Sequence, residues 1–405
     1  MAKYLRAIST RCMPEARNSF HLISRLSSVN FFVLLSVHFL IGISHAVTLK
    51  SSFLRMSTPL SRMAELGLNV KAFPEDNYEH ILGFHDENYE PSKLQVICRK
   101  RMEDVNHSKE PLDVNGCGID RSFYISEEDL ARDIEDFDAE YGPPLNLMNR
   151  VKEVFPEMAI AAEFKRASPS KGDININVDI VKQCVEYAEA GAAVISVLTE
   201  FKHFKGTLAD LKKVRLATQK HASSSSENKS RPAILRKDFI LDSYQIYEAR
   251  AAGADTVLLI VAVLGVQQLQ HLIAVCRRLS MEPLVEVHTQ QEMEIALDCG
   301  ARVIGVNNRN LHTFQLNLET TAQAVAIAAR RKLTWRPAGR DDPPPPLLIF
   351  ALSGISSAED VATFKDLGVA CCLVGECVFS PYFLCTSIIT WLLFKSLFRG
   401  GSHEV

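Results

Sequence analysis

The sequence lacks the signatures of metal, redox and dinucleotide-binding proteins. Its 10 cysteines include no pair at CxxC spacing, and Cys371 and Cys372 are adjacent within an apolar run. Scattered cysteines of this kind are typical of reduced structural thiols rather than of a zinc or redox site. No GxGxxG motif follows the first predicted strand, which argues against a dinucleotide-binding domain.

An excess of charge of either sign is also absent. The 405 residues have a formal net charge of −3, with 47% hydrophobic and 23% charged residues. This is an ordinary globular composition. A near-neutral chain gives no reason to expect a nucleic-acid partner.

Acidic residues are nearly absent from residues 1–64, where Glu15 is the single carboxylate. The segment is rich in serine, and its basic residues are Lys3, Arg6, Arg11, Arg17, Arg25, Lys50, Arg55 and Arg62. Its apolar stretch at 31–44 is too short to predict a membrane span. The composition favours a targeting segment that is removed, with the plastid as destination and the cytoplasm as the alternative. An upstream error of gene prediction is the other interpretation.

Residues 65–126 are polar and weakly periodic, so they predict a linker or an irregular extension. The sequence from residue 127 predicts a capped acidic helix, and residues 146–155 predict a second helix that ends at Pro156. On this interpretation the folded domain covers residues 127–379. A chain that begins near residue 127 is then expected to keep full activity.

Eight short apolar runs follow, rich in Val, Ile and Leu and without polar alternation. They occupy residues 159–164, 193–199, 233–240, 256–263, 283–288, 303–308, 347–354 and 371–376. Continuous apolar runs are typical of parallel strands buried on both faces. Stretches with apolar residues at helical spacing, such as 178–190 and 266–279, lie between them.

A weak internal repeat accompanies these runs. The segments EAGAAVISV, AAGADTVLLI, DCGARVIGV and DLGVACCLV each combine a helix end, a glycine and a strand, with the glycines at Gly191, Gly253, Gly300 and Gly368. They precede the second, fourth, sixth and eighth runs. This pattern predicts an α/β fold, a (β/α)8 TIM barrel with an N-terminal helical extension. An open doubly wound sheet is the alternative.

Functional side chains collect where the predicted strands end. In barrels of this class the chemistry lies at the C-terminal ends of the strands. The residues at these ends are Glu163, Lys165, Ser168, Ser170, Lys237, Asp238, Glu286, His288, Asn307, Asn308, Arg309, Ser353, Gly354, Gly375 and Glu376. Alternate strand residues point the same way, so Glu163 and Lys165 are expected to share the barrel interior, with the Ser-Pro-Ser turn at 168–170 folding over them as a lid.

The types of these groups indicate the substrate. Two lysines and an arginine suit a molecule with more than one anionic group, such as a carboxylate and a phosphate. The small, glycine-bearing ends of the seventh and eighth strands can hold a phosphate through backbone N–H groups. Glu286 and Lys237 form a candidate base and acid pair.

These segments resemble indole-3-glycerol phosphate synthase, an enzyme of tryptophan biosynthesis. The matching stretches include AEFKRASPSKGDI, ILRKDFILDSYQIYEARAAGADTVLLI and LVEVHTQQEMEIALDCGARVIGVNNRNLHTF, within about residues 145–379. The resemblance implies a carboxy-lyase that closes the indole ring of 1-(2-carboxyphenylamino)-1-deoxyribulose 5-phosphate and releases carbon dioxide and water. It implies no cofactor, and association with other enzymes of the same pathway.

The resemblance also implies roles for individual residues. Lys237 is then the general acid, Lys165 polarises the substrate, Glu163 orients Lys165, and Glu286 is the base of the dehydration. Asn307 completes the catalytic set and holds the anthranilate end together with Arg309. The remaining implied substrate-binding residues are Ser168, Phe204, Phe239, Ser353, Gly354, Gly375 and Glu376.

Two features depart from the family pattern. Many members have a glutamate immediately before the seventh-strand Ser-Gly, where this chain has Leu352, so one polar contact is in doubt. Residues 380–405 form an apolar tail instead of a closing amphipathic helix. A membrane contact is expected only if this tail is genuine; a gene-model error is the alternative.

Two other functions fit parts of the pattern. One is another barrel enzyme of phosphorylated metabolites, such as phosphoribosylanthranilate isomerase. That family requires a cysteine base at the first strand, where this chain has Glu163. The other is a non-catalytic barrel that serves as a scaffold in a tryptophan-pathway assembly, against which the intact set of Lys165, Lys237 and Glu286 argues.

Overall fold

Eight parallel strands close into a barrel in the computed structural model. They are β1 (Ala159–Phe164), β2 (Val194–Leu198), β3 (Ala233–Lys237), β4 (Thr256–Ile260), β5 (Leu284–Val287), β6 (Val303–Asn307), β7 (Leu348–Leu352) and β8 (Cys371–Val374). Each strand pairs with the next in sequence, and β8 pairs with β1. The predicted (β/α)8 barrel is therefore confirmed, and the open doubly wound sheet is excluded.

The structure describes residues 92–109, 112–113, 119–120, 125–174, 176–224, 230–309, 317–333 and 346–375. The predicted targeting segment, the apolar tail at 380–405 and Glu376 lie outside the described residues. In the part of the chain that is described, every helix is too short or too polar to span a bilayer.

Within the described residues, three helices precede the barrel: α1 (Lys93–Lys109), α2 (Glu127–Tyr141) and α3 (Leu147–Lys152). The predicted cap of α2 is present, because Ser126 accepts a hydrogen bond from the backbone N–H of Asp129 while the Asp129 carboxylate accepts one from the backbone N–H of Ser126. Helix α1 lies where the sequence predicted a linker or irregular extension. That expectation is wrong for residues 93–109.

The helices that alternate with the strands complete the outer layer. They are α4 (Ile180–Glu189), α5 (Phe201–Phe204), α6 (Leu208–Ser224), α7 (Ser243–Ala251), α8 (Val266–Arg278), α9 (Gln290–Asp298), α10 (Glu319–Arg330) and α11 (Ala358–Asp366). A single 3-10 turn, Val261–Val263, follows β4. Short paired strands also occur at Leu112–Asp113 with Ile119–Asp120, and at Ala167–Ser168 with Gly172–Asp173.

The repeated glycines end helices in the left-handed region, as predicted. Gly253, for example, follows α7 with φ +88°. A Cβ at this position would lie 2.4 Å from the Phe137 ring of α2. Glycine therefore serves two purposes here, since it ends α7 and lets α2 pack closely against the barrel.

Burial of the strands on both faces explains their composition. All residues of β1, β2, β4, β5, β6, β7 and β8 are buried, and β3 is buried except at Lys237. Lys237 is the last residue of its strand and is half-buried at the open end of the barrel. The apolar core therefore ends where the polar side chains begin.

Candidate active site

The C-terminal ends of the strands surround a cavity of about 440 Å³. It is lined by every residue to which a catalytic or substrate-binding role was assigned within the described part of the chain: Glu163, Lys165, Ser168, Phe204, Lys237, Phe239, Glu286, Asn307, Arg309, Ser353, Gly354 and Gly375. Glu376 lies outside the described residues. Strand ends far apart in sequence thus bring these groups to one place.

Glu163 and Lys165 form a buried ion pair on β1. Lys165 Nζ lies 2.9 Å from Glu163 Oε1, and the two side chains are 10% and 8% exposed. Burial opposes the charge on Glu163, but the ammonium groups of Lys165 and Lys237 outweigh it and lower the pKa of this carboxyl. A Cβ added to Gly375 on the neighbouring strand end would lie 2.9 Å from Glu163 Oε1, so any larger residue would displace this carboxylate from its contact with Lys165.

A second cluster of polar side chains, Lys237, Glu286 and Asn307, joins the ends of β3, β5 and β6. Lys237 Nζ lies 3.8 Å from Glu286 Oε2. Asn307 Nδ2 donates to Glu286 Oε1 at 3.0 Å, and the backbone N–H of Arg309 donates to Asn307 Oδ1 at 3.0 Å. Glu286 Oε2 is buried and accepts no hydrogen bond from the described residues. Glu286 is therefore held through one oxygen, while the other faces the lysine.

Aromatic rings and a hydroxyl-bearing turn form two further walls. The ring centroids of Phe204 and Phe239 are 6.2 Å apart at an interplanar angle of 45°. Ser168, Pro169 and Ser170 also line the cavity, so the turn borders the site, and its role as a lid stays a prediction. These walls combine an aromatic surface with hydroxyl donors.

Polar contacts of Arg166 and Lys205 connect the loop that contains this turn to the loop after β2. Arg166 donates to both oxygens of Asp210 on α6, at 2.7 and 3.0 Å, and to the backbone carbonyl of Lys205 at 3.1 Å. Lys205 also pairs with Asp173 in the turn. The loops after β1 and β2 are therefore linked beside the cavity.

The turn after β7 has an unusual backbone. Ser353 and Gly354 have φ angles of +63° and +78°, and both line the cavity. Non-glycine residues in the left-handed region are rare in proteins, and those that occur are concentrated at functional sites.

Leu352 stands where many members of the family have a glutamate, and it lines the cavity as well. Its Cδ1 would lie 2.6 Å from a Cβ at Gly305, so it packs closely on the backbone of β6.

Helix α1 forms a wall that the sequence analysis missed. Lys93, Leu94 and Ile97 line the cavity. The signal was present in the helical spacing of Leu94, Ile97, Cys98 and Val105, all of which are buried. Frequent charged residues between them concealed the pattern. The expectation that a chain beginning near residue 127 keeps full activity therefore conflicts with the structure.

Asp238 anchors α1 to the barrel and does not line the cavity. Its carboxylate accepts from Arg101 Nε at 3.1 Å and Arg101 Nη2 at 2.9 Å. It also accepts from Thr199 Oγ1 at 2.7 Å and from Arg236 Nη2 at 3.0 Å. Burial opposes ionisation of Asp238, but Arg236 and Arg101 outweigh it and lower the pKa. Asp238 is thus a structural partner next to Lys237.

Asn308 also faces away from the cavity, because it follows the inward-facing Asn307. It accepts from Thr321 Oγ1 at 2.9 Å and donates to the Ser353 carbonyl at 3.3 Å. This residue therefore holds α10 and the turn after β7 in place. His288, at the end of β5, is buried behind Glu286 and does not line the cavity.

Comparisons with known proteins identify the family of this chain. The family model described as indole-3-glycerol phosphate synthase matches residues 119–381. A multifunctional tryptophan biosynthesis protein of Schizosaccharomyces pombe is 49% identical over 234 residues, which are 58% of this chain and 28% of that protein. One of the same name from Phanerodontia chrysosporium is 44% identical over 287 residues, which are 71% of this chain and 32% of that protein.

A third relative is much shorter. The protein named indole-3-glycerol phosphate synthase from Dehalococcoides mccartyi is 42% identical over 234 residues, which are 58% of this chain and 80% of that protein. The chain thus spans about a third or less of the multifunctional relatives but most of the bacterial one. The chain belongs to the indole-3-glycerol phosphate synthase family.

Proposed function

We propose that the chain catalyses the indole-3-glycerol-phosphate synthase reaction, EC 4.1.1.48. It converts 1-(2-carboxyphenylamino)-1-deoxyribulose 5-phosphate to indole-3-glycerol phosphate, carbon dioxide and water. The observation that carries this proposal is the pair of lysine–carboxylate contacts in one cavity. Lys237 Nζ lies 3.8 Å from Glu286 Oε2, and Lys165 Nζ lies 2.9 Å from Glu163 Oε1.

Ring closure uses the lysine on β3. Lys237 donates a proton to the ribulose carbonyl oxygen while the carboxylate-bearing carbon of the anthranilate ring attacks the carbonyl carbon. The electron pair of the aniline nitrogen moves into the ring, so the nitrogen becomes an iminium. Loss of carbon dioxide returns that electron pair and restores the aromatic ring. The substrate itself is the electron sink in this sequence of steps, so no cofactor is required.

Dehydration uses the carboxylate on β5. Glu286 Oε2 takes a proton from the ring-closed intermediate while one of the two lysine ammonium groups protonates the departing hydroxyl. Water leaves, and the indole double bond forms. The hydrogen bond from Asn307 to Glu286 Oε1 supports this role, because it leaves Oε2 facing Lys237 and without a hydrogen bond from the described residues.

Different residues bind the carboxylate end and the phosphate end of the substrate. Arg309 can form two parallel hydrogen bonds with the anthranilate carboxylate, as a guanidinium does with planar anions. The backbone at Ser353, Gly354 and Gly375 suits the phosphate, because small residues let the chain approach closely. Phe204 and Phe239 provide an aromatic surface for the ring between the two anions.

The test is to incubate the full chain with the substrate and to follow indole fluorescence. We expect fluorescence to rise with one carbon dioxide released per product. Conversion of phosphoribosylanthranilate would instead support the isomerase alternative, although Glu163 stands where that family has its cysteine. A folded chain that binds the substrate without converting it would support the scaffold alternative.

We also propose that the chain is located in a plastid and that it associates with other tryptophan-pathway enzymes. The basic, serine-rich composition of residues 1–64 supports delivery to a plastid. Fusing these residues to a fluorescent protein tests it, and a cytoplasmic signal would contradict it. The multifunctional names of two relatives support association with other tryptophan-pathway enzymes, which co-purification at native concentration would test.

A further inference from the structure

A buried histidine lies directly behind the proposed base. The side chain of His288 is 8% exposed, and its Nε2 lies 3.9 Å from Glu286 Oε1. On its other side, Nδ1 lies 3.6 Å from Glu292 Oε2. Neither ring nitrogen makes a hydrogen bond of standard geometry with the residues that the structure describes. The imidazole is therefore enclosed by two carboxylates and held mainly by charge.

The local sequence produces this arrangement. Glu286 lies on β5, and His288 is the first residue after this strand, two positions further along the chain. Thr289 then caps α9 by accepting a hydrogen bond from the backbone N–H of Glu292 at 3.1 Å. The Glu292 carboxylate turns back and accepts from the backbone N–H of His288 at 2.8 Å. The helix cap thereby fixes a carboxylate against the imidazole.

The charges around His288 favour its protonated form. Burial opposes protonation, but Glu292 and Glu286 outweigh it and raise the pKa of the imidazole above its ordinary value of 6.5. The segment after β6 contributes the backbone of Arg309 to the same surroundings. From β3, Lys237 faces the opposite oxygen of Glu286 at 3.8 Å. Glu286 thus lies between a cation in the cavity and a second one behind it.

We propose that His288 is a positioning residue, which is anchored by Glu292 and holds Glu286 Oε1 so that Oε2 faces the substrate as the base. The inference rests on the proposed function, since it assigns a role in that reaction. His288 touches neither the cavity nor the substrate. Its contribution acts through the charge and orientation of Glu286, together with the hydrogen bond from Asn307.

The first test compares the pH dependence of kcat and KM for the full chain and three variants. In His288→Gln the titrating group is lost, while in Glu292→Gln the side-chain oxygen remains for the backbone N–H of His288 but the charge is removed. His271→Gln on α8 is the matched control, because it removes a half-buried histidine outside the cavity lining.

The signs of the expected changes follow from the raised pKa. The imidazolium is present at low pH and is lost as the pH rises through this pKa, so kcat of the unmodified chain steps down there. The step is absent in His288→Gln and moves to lower pH in Glu292→Gln. Below the step, kcat of His288→Gln is about 10-fold lower, as expected for loss of one contact to a charged group, and KM changes by less than about twofold.

A second readout does not depend on turnover. The imidazole signals of His288, assigned by their loss in His288→Gln, are followed by NMR as a function of pH. We expect protonation centred above pH 6.5 in the unmodified chain, and at lower pH in Glu292→Gln. Should His288→Gln fail to fold, its loss cannot assign these signals, and the position of the kcat step in Glu292→Gln is then the test.

The results that would refute the proposed function differ from those that would refute the role of His288. An inactive unmodified chain would refute the proposed function, and the NMR titration would still determine the charge state of His288. An imidazole that is neutral throughout pH 6–8 would overturn the inference even in an active enzyme. Parallel kcat profiles in the unmodified chain and His288→Gln would overturn it as well, since a purely structural role does not shift a pH profile.

Discussion

Replacing Arg101 by methionine should separate α1 from the active site without altering the catalytic groups. Arg101 forms two hydrogen bonds, of 3.1 and 2.9 Å, with an Asp238 side chain that is 0% exposed, while Arg101 itself is 18% exposed. Methionine retains much of the side-chain volume but neither donor. Because Leu94 and Ile97 of the same helix line the cavity, loss of this anchor removes a wall of the substrate site.

The size of the effect of Arg101→Met depends on the hydrogen bonds that Asp238 still accepts in the variant. Removing the only partner of a buried charge costs about 3–5 kcal/mol, whereas exposed pairs contribute little. In Arg101→Met, Asp238 still has its hydrogen bonds from Arg236 and Thr199. The free energy that holds α1 against the barrel should therefore fall by about 1.5–3 kcal/mol, the range for hydrogen bonds to charged groups. If the whole of this energy appears in substrate binding, KM increases by about 10- to 160-fold, with kcat changed by less than about tenfold.

The assay is a steady-state titration with substrate, followed by indole fluorescence. Lys100→Met is the matched control, because Lys100 lies on the same helix in exposed pairs with Glu103 and Asp104. A chain that begins near residue 127 lacks α1 and should show an increase in KM at least as large as that of Arg101→Met. An unchanged KM in both altered chains would refute the conclusion that α1 is part of the site.

Three further predictions concern the polar residues of the barrel. Arg309→Lys should raise KM by about 10-fold or more, because an ammonium cannot form the two parallel bonds expected with a carboxylate; an unchanged KM would argue against this assignment. Glu286→Gln should be nearly inactive at the dehydration step, so single-turnover absorbance should show a ring-closed intermediate that persists, and normal product formation would contradict the role of base. The pKa values of Glu163 and Asp238 are lowered in the folded chain, so the stability they contribute is present above their unfolded values near pH 4 and is lost as the pH falls through the folded ones. Urea unfolding between pH 3 and 6 should show this loss, with a weaker pH dependence in Arg101→Met, and equal slopes in the two chains would count against it.

The sequence predicted the barrel because each strand is buried on both faces. That burial requires continuous apolar runs, and the helix-ending glycines mark where every second strand begins. The site residues were predictable for a related reason. Polar side chains within apolar runs are unexpected unless they reach the open end of the barrel, as Glu163, Lys237 and Glu286 do.

The sequence did not distinguish inward-facing from outward-facing residues at the strand ends. Asp238 and Asn308 follow Lys237 and Asn307, but they point away from the cavity and bind neighbouring elements. Helix α1 was missed because its main polar contact joins Arg101 to a residue 137 positions away. A contact of that separation cannot be inferred from the local sequence, and charged residues concealed the helical spacing of the buried residues of α1.

The most direct test of the account is a single-turnover measurement on Lys237→Met beside the unmodified full chain. Lys182→Met, which alters an exposed lysine of α4, is the matched control. The account predicts that the unmodified chain and the control form indole-3-glycerol phosphate at equal rates. Loss of the general acid should slow Lys237→Met by about 10²–10⁴-fold, with no early absorbance change and with the fold and substrate binding retained. If Lys237→Met kept more than about a tenth of the rate, against that expected loss, Lys237 would not be the acid, and Lys165 would be the next residue to substitute.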